Sequence, residues 1–90
     1  MIRYSIIFEG RVQGVGFRYF ARKSAQGSHV TGFVRNLSDG TVHVEVQGPK
    51  DRIAVFLKII REGNGYSSIS RFDMKRIDLN PEEKEFSIRY

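Results

Sequence analysis

The hydrophobic period of this chain changes across one glycine-rich segment, and that change restricts the possible folds more than any other feature. Apolar and polar residues alternate over residues 2–9, as in a half-buried β-strand. From residue 17 the apolar spacing becomes that of a helix, which is expected to end near Gly27. The residues of this helical stripe are Phe17, Phe20, Ala21 and Ala25. Residues 10–16, which contain three glycines, must therefore turn a strand directly into a helix.

A β-hairpin and a second helix are predicted in the middle of the chain. Val30–Arg35 and Thr41–Gln47 have strand patterns, and Leu37–Gly40 between them has the composition of a tight turn. A second apolar stripe at helical spacing begins near Pro49, because proline is tolerated in the first turn of a helix. Gly63 is expected to end this helix.

Two further strands complete the predicted order. Ile69–Leu79 resembles a strand of irregular phase, which predicts either a β-bulge or a long irregular exit from the strand. Phe86–Tyr90 predicts a short last strand. The order βαββαβ plus a terminal strand predicts an α+β fold, a ferredoxin-like sandwich whose antiparallel sheet carries both helices on one face. A chain of 90 residues has room for one core, so residues 1–90 are expected to form a single domain.

Periodicity also assigns individual side chains to the inside or the outside. The phenylalanines expected in the core are Phe17, Phe20, Phe33, Phe56 and Phe72. His43 alternates with inward-facing valines, so it is expected at the surface, on the outer face of its strand. His29 is expected in a loop, without a chemical role.

The excess of basic charge lies in the first part of the sequence. The net charge is +5; residues 1–36 hold six basic side chains against Glu9 alone, whereas nine basic and nine acidic side chains cancel in the rest. An anionic partner is therefore expected to bind the first 36 residues, and nucleic acid, phosphate metabolites and acidic membranes all remain open.

Cysteine content and hydropathy limit the chemistry and the location. The absence of cysteine excludes a thiolate nucleophile and a zinc–thiolate site. No cluster of His, Asp and Glu has the spacing of metal ligands, so no metal site is predicted. A cytoplasmic location is expected, because the sequence lacks the patterns of a signal peptide and of a membrane-spanning segment.

The glycine-rich segment itself has the chemistry of an anion site. Glycines between a strand and a helix allow successive backbone N–H groups to face one point, and the first N–H groups of the helix are unpaired. Arg18, in the first helical turn, adds a guanidinium that can bind two phosphate oxygens. From these residues alone, a phosphate site and a tight turn with a surface arginine are equally open. The segment is not a Walker loop, because no Lys-Ser or Lys-Thr pair follows its last glycine.

Two long motifs resemble those of the acylphosphatase family. Gly10–Arg18 (GRVQGVGFR) is similar to the phosphate-binding motif of the family, and Gly32–Val42 (GFVRNLSDGTV), running on to Gly48, is similar to its second motif. The order of the elements and the final FSIRY also agree. Leu37 departs from the pattern, since some members have a hydroxyl residue there, and residues 63–68 lack a proline that often follows the second helix.

The resemblance implies that the chain hydrolyses a carboxyl–phosphate bond to a carboxylate and inorganic phosphate, without a metal, a cofactor or a phospho-enzyme. It implies two catalytic residues: Arg18 to bind the phosphoryl oxygens and Asn36 to orient the attacking water. The phosphate-binding residues that it implies are Val12, Gln13, Gly14, Val15, Gly16, Phe17 and Arg18. The implied partner is a small acyl phosphate, with inorganic phosphate as product and competitive inhibitor. A monomer that binds neither nucleic acid nor membranes is expected.

Two other functions fit parts of the sequence. Gln13–Phe20 partly imitates the base-stacking motif of the RNA-binding RRM domains, which share the βαββαβ order. In those domains the motif lies on the third strand, whereas the outward residues of the third strand here, Thr41, His43, Glu45 and Gln47, form no aromatic platform. A non-catalytic or carbamoyl-phosphate-handling domain of a larger maturation enzyme can carry the same two motifs, although a chain of 90 residues favours the free-standing enzyme.

Overall fold

The strands and helices follow the predicted order in a computed structural model that describes all 90 residues, Met1 to Tyr90. The elements are β1 (Ile2–Arg11), α1 (Phe17–Ser28), β2 (Thr31–Asn36), β3 (Val42–Gly48), α2 (Lys50–Glu62), β4 (Ser68–Ile77) and β5 (Phe86–Arg89). They form one sheet in the order β4-β1-β3-β2-β5, in which all neighbours are antiparallel except β2 and β5. The predicted α+β, ferredoxin-like architecture is confirmed.

Several element boundaries differ slightly from those predicted. β2 and β3 each begin and end one residue later, and β4 ends two residues earlier, at Ile77. The expected irregularity of β4 is confirmed as a shift in its pairing with β1, between Glu9 and Gly10. α2 lies between Pro49 and Gly63, as their conformational preferences predict.

The core lies between the sheet and the two helices. Alternate residues of the strands face it, and each helix contributes one apolar stripe. The largest fully buried side chains are Phe8, Phe17, Phe56, Ile6 and Ile60. Phe20 and Phe72 are partly buried and pack against this cluster. Each large apolar side chain that is fully buried stabilises the fold by about 1.5–3 kcal/mol.

Phe33 is buried, as predicted, but on the face of the sheet opposite the helices and outside the main core cluster. Its neighbour Val34 belongs to the core, and successive strand residues face opposite sides. The Phe33 ring lies edge-on to His43, with the ring centroids 5.3 Å apart, and the guanidinium of Arg89 stacks over it at 3.8 Å from the ring centroid. Hydrophobicity predicted that Phe33 is buried, but it did not predict which face of the sheet buries it.

The outer face of the sheet is partly covered by the connection between β4 and β5. Arg3 of β1 is only 3% exposed and donates hydrogen bonds to both carboxylate oxygens of Glu83, at 2.8 and 3.0 Å. Arg3 also donates to Glu45 at 3.1 Å. The hydrogen bond to Glu83 is the main reason why the pKa of Arg3 is raised above its ordinary value. Gln47 donates to the carbonyl oxygen of Asn80 at 3.0 Å, so polar bonds hold this connection on the sheet.

Replacing Glu83 by glutamine should lower the free energy of unfolding by about 1–3 kcal/mol, because the buried Arg3 guanidinium loses its bidentate carboxylate. Urea unfolding measures the change. Glu82→Gln is the matched control, since it removes the same charge from the exposed neighbouring residue, and it should shift stability by less than about 0.5 kcal/mol. Equal stability of the two variants would contradict the role given to this ion pair.

Candidate active site

The segment between β1 and α1 forms a loop whose backbone requires glycine at two positions. Gly14 and Gly16 have φ angles of 71° and 74°, in the left-handed region that other residues rarely adopt. A Cβ atom on Gly14 would meet nothing within 4 Å, so backbone conformation and not space selects glycine there. Gly16 immediately precedes α1, no side chain caps this helix, and its first turn contains no acidic residue. The free N–H groups and the positive end of the helix dipole are therefore available to an anion.

A cavity of about 300 Å³ lies at the start of α1, and we call it the α1 cavity. Six of the seven loop residues predicted to bind phosphate line it, all except Val15. Asn36, at the end of β2, and Ile88 and Tyr90, in and after β5, line its other side. Arg18 and Arg22 of α1 are its charged residues, and no Asp or Glu lines it. The two positive charges are therefore not neutralised within the cavity.

The structure brings the two predicted catalytic residues, Arg18 and Asn36, into this same cavity. The guanidinium of Arg18 lies 4.8 Å from the centroid of the Tyr90 ring and forms no ion pair. The Oδ1 atom of Asn36 is buried and has no hydrogen-bond partner. A buried acceptor without a partner costs about 1–3 kcal/mol, so this amide is suited to bind a hydrogen-bond donor such as water.

Gln13, predicted to bind phosphate, has a side chain that connects the loop to the β2–β3 turn. Its Nε2 atom donates to the carbonyl oxygens of Leu37 and Thr41, both at 2.8 Å. Leu37 directly follows Asn36, so this pair of bonds fixes the loop relative to the predicted water-orienting residue. The side-chain amide of Gln13 is thus already bonded to protein, which leaves its backbone N–H for an anion.

Val15 faces away from the cavity, and its carbonyl holds the loop in place. Its side chain packs against the core, and its carbonyl oxygen accepts a hydrogen bond from Nδ2 of Asn64 at 2.9 Å. Asn64 in turn accepts bonds from the backbone N–H groups of Tyr66 and Ser67, at 2.9 and 2.8 Å. Since the C=O and N–H of a trans peptide point in opposite directions, the bond to Val15 also fixes the direction of the Gly16 N–H. The only signal for this contact in the sequence is a turn at the Gly-Asn-Gly tripeptide.

Sequence reasoning also missed lining residues on α1 and β5. Arg22 lies four residues after Arg18, a spacing that places both on one face of a helix and was therefore available as a signal. Ile88 and Tyr90 reach the cavity because β5 pairs in parallel with β2, with Arg35 opposite Arg89. No local pattern in the sequence specifies that pairing.

Neither histidine lines the cavity. His43 is on the outer face, as predicted, but it is buried and not at the surface, with only 9% of its surface exposed. Its Nδ1 accepts a hydrogen bond from Arg35 Nε at 3.2 Å, and its Nε2 lies 2.9 Å from the Ser5 hydroxyl. Burial is the main reason why the pKa of His43 is lowered, and Arg35 adds to the effect. His29 ends α1 in a left-handed conformation with φ 57°.

Three further observations bear on the alternatives. Gln13–Phe20 lies on the loop and on α1, away from the sheet surface that stacks bases in RRM domains. No group of three or more His, Asp and Glu side chains is placed to hold a metal ion. Neither helix is long and apolar enough to cross a bilayer.

The comparisons with known proteins agree with each other. A family model described as acylphosphatase matches residues 4–88. An acylphosphatase of Clostridium beijerinckii is 46% identical over 90 residues, which are all of both chains. The crystal structure of acylphosphatase from Bacillus subtilis superimposes with a TM-score of 0.93 at 34% identity, over all of both chains. A structure of full-length HypF in a phosphate- and nucleotide-bound form matches all of this chain but only 12% of its own, with a TM-score of 0.83 and 32% identity.

Fold and cavity together define a ferredoxin-like α+β protein with a cavity at a helix start that is lined by two arginines and by no Asp or Glu. With the family model and the full-length relatives, they show that the chain belongs to the acylphosphatase family. It is therefore an enzyme of the hydrolase class.

The stability of the protein should fall as the pH is lowered from about 7 to 5, and His43→Gln should reduce this fall. The folded-state pKa of His43 lies below its ordinary value of 6.5, so the unfolded chain takes up a proton first as the pH falls. Above that value the histidine is neutral in both states and adds no pH dependence. Urea unfolding at several pH values measures the slope. Apart from Glu45, which lies 3.5 Å from His43 Nε2, the carboxylates contribute equally to the two proteins, so identical slopes in parent and variant would contradict the prediction.

Proposed function

We propose that the chain hydrolyses acyl phosphates to a carboxylate and inorganic phosphate in the α1 cavity, with residues 1–90 acting as one domain. Membership of the acylphosphatase family supports the substrate class. The observation that carries the assignment of the site is the meeting of Arg18 and Asn36, from two separate motifs, in one cavity that no Asp or Glu lines. A dianionic phosphoryl group supplies the negative charge that this cavity lacks.

The loop and Arg18 are proposed to bind the phosphoryl group. Backbone N–H groups of residues 12–18 and the start of α1 face the oxygens, and the Arg18 guanidinium forms two parallel hydrogen bonds with them. Phosphoryl transfer passes through a loose transition state whose charge is spread over the three equatorial oxygens. Donors that are fixed before the reaction stabilise that charge without reorganising. The contacts of Gln13, Asn64 and Tyr90 with this region support such fixed geometry.

Asn36 is proposed to orient the attacking water. The water donates one hydrogen to the unpartnered Oδ1 and directs a lone pair at phosphorus, opposite the leaving carboxylate. The new P–O bond forms as the bond between phosphorus and the acyl oxygen breaks. A neutral amide is a poor base, so the proton of the water passes to a phosphate oxygen of the substrate or to solvent. The carboxylate is a stable leaving group and needs little protonation.

Direct attack by water, without a phospho-enzyme, fits the composition of the cavity. Its walls hold no Cys, His, Ser, Thr, Lys, Asp or Glu, and the only hydroxyl groups there are the phenols of Tyr19 and Tyr90, which no base in the cavity activates. The loop N–H groups and Arg18 perform the charge stabilisation that a metal ion provides in many phosphoryl-transfer sites. Inorganic phosphate, which has the same charged group as the substrate, is expected to compete with it.

A second candidate is a domain that handles a phosphorylated intermediate inside a larger protein. The similarity to a short part of full-length HypF supports this second candidate, because that structure is of a phosphate- and nucleotide-bound form. The match over all of both chains with the Clostridium and Bacillus acylphosphatases favours the hydrolase.

The purified protein should release phosphate from benzoyl phosphate but not from phenyl phosphate, and EDTA should leave the rate unchanged. Benzoate is a good leaving group, whereas phenolate departs slowly without a general acid, and no His, Lys, Asp or Glu lines the cavity to act as one. Phosphate release measured with both substrates tests the reaction class. Hydrolysis of phenyl phosphate at a comparable rate, or loss of activity in EDTA that a divalent ion restores, would contradict the proposal.

Arg18→Ala and Asn36→Ala should affect different kinetic parameters. Arg18→Ala should weaken phosphate binding and lower turnover together, because its charge acts on the ground state and the transition state. Asn36→Ala should mainly lower turnover, by roughly 10²-fold or more, as expected for one lost transition-state donor or acceptor. Arg11→Ala, which removes an exposed arginine outside the cavity, is the control for net charge. Near-parent turnover in Asn36→Ala would show that this residue does not orient the water.

A further inference from the structure

Arg22 is a second, unneutralised cation in the α1 cavity to which the proposed reaction gives no role. It is half-buried, it lines the cavity together with Arg18, and it forms no ion pair. Its guanidinium lies 5.5 Å from the centroid of the Tyr19 ring, whereas that of Arg18 lies over Tyr90. The two arginines thus stack on different aromatic rings, so their guanidinium groups are held at separate positions in one cavity.

Helix geometry separates Arg22 from the phosphoryl group. The free N–H groups belong to the first turn of α1, and Arg22 begins about 6 Å further along the helix axis than Arg18. Arg22 nevertheless lines the same cavity. With the phosphoryl group at the first turn, the acyl group of a bound acyl phosphate would extend away from the loop, and Arg22 is the charged residue of the cavity beyond that turn.

The remaining surface near Arg22 suits a short carbon chain or ring. Ile88 and the rings of Tyr19 and Tyr90 line the cavity, and they offer apolar contact between the two arginines. A ligand that matches the whole cavity therefore has a phosphoryl group at one end, an apolar middle and an anionic group at the other end.

We propose that Arg22 binds a second anionic group on the acyl part of the substrate, so that this enzyme prefers acyl phosphates carrying an additional carboxylate or phosphate. The proposal rests on the proposed function, since it assumes that the phosphoryl group occupies the loop. It makes Arg22 a specificity-determining residue that does not touch the reacting atoms.

The test compares two substrates that differ by one carboxylate, benzoyl phosphate and 3-carboxybenzoyl phosphate. The parent protein should have a kcat/KM about threefold to tenfold higher for the carboxylated substrate, as one partly exposed ion pair allows. Arg22→Gln should bring this ratio close to one. Rising ionic strength should lower the ratio in the parent, since salt screens exposed charges. The ratio is measured on active enzyme, so partial loss of folded protein does not affect it.

Lys23→Gln is the matched control. It removes an equal charge from the adjacent position of the same helix, which is exposed and outside the cavity, and it should retain the ratio of the parent. A parent ratio near one, or a ratio that survives in Arg22→Gln, would overturn the proposal; the latter would show that another group selects the carboxylate. Loss of the ratio in Lys23→Gln as well would overturn it in favour of general charge attraction. Failure of the parent to hydrolyse either substrate would instead contradict the proposed function, and the role of Arg22 with it.

Discussion

The edge-to-face contact between Phe8 and Phe17 holds together the two ends of the glycine-rich loop. The ring centroids are 5.8 Å apart at an angle of 64°, and both rings are almost fully buried. Phe8 also contacts Phe72 of β4 at 5.8 Å, so the loop is anchored to the sheet and to the helix at once. Such aromatic pairs contribute about 0.5–1.5 kcal/mol beyond the burial of their surface. With both ends fixed, the residues between must reverse direction within a short span, which the left-handed conformations of Gly14 and Gly16 allow.

The basic excess of the first 36 residues is divided between the two sides of the sheet, with different consequences. Arg3 is neutralised by Glu83 and Glu45 on the outer face, where it stabilises the fold and is not available to a ligand. Arg18 and Arg22 have no carboxylate partner in the α1 cavity. The net charge therefore indicated an anionic partner, in agreement with an acyl phosphate substrate. It did not show which arginines can contact that partner, because Arg3 is buried in an ion pair. The pairing of charges separates the arginines that hold the structure from those that a substrate can contact.

What the sequence predicted well depends on local patterns, and what it missed depends on distant pairing. The change of period around residues 10–16 predicted β1 and α1, because glycine conformations and apolar spacing act over a few residues. Arg18 and Asn36 came from motifs similar to those of the family, and their roles remain proposals. The burial of Arg3 depends on Glu83, 80 residues away. Strand alternation could therefore predict which face of the sheet Arg3 lies on, but not that a carboxylate would cover it there. Tyr90 likewise depends on where β5 docks, which no short pattern specifies.

The position of β5 makes the α1 cavity less stable to local opening than the rest of the fold. β5 is a four-residue strand at the edge of the sheet, paired only with β2, and it brings Ile88 and Tyr90 to the cavity. Short edge strands open at a lower free energy than a central core, since few contacts must break. Opening of β5 would remove one side of the cavity and the ring beneath Arg18, while Phe8, Phe17 and the central strands stay packed. On heating, the enzyme is therefore expected to lose its affinity for substrate at a lower temperature than the one at which the whole protein unfolds.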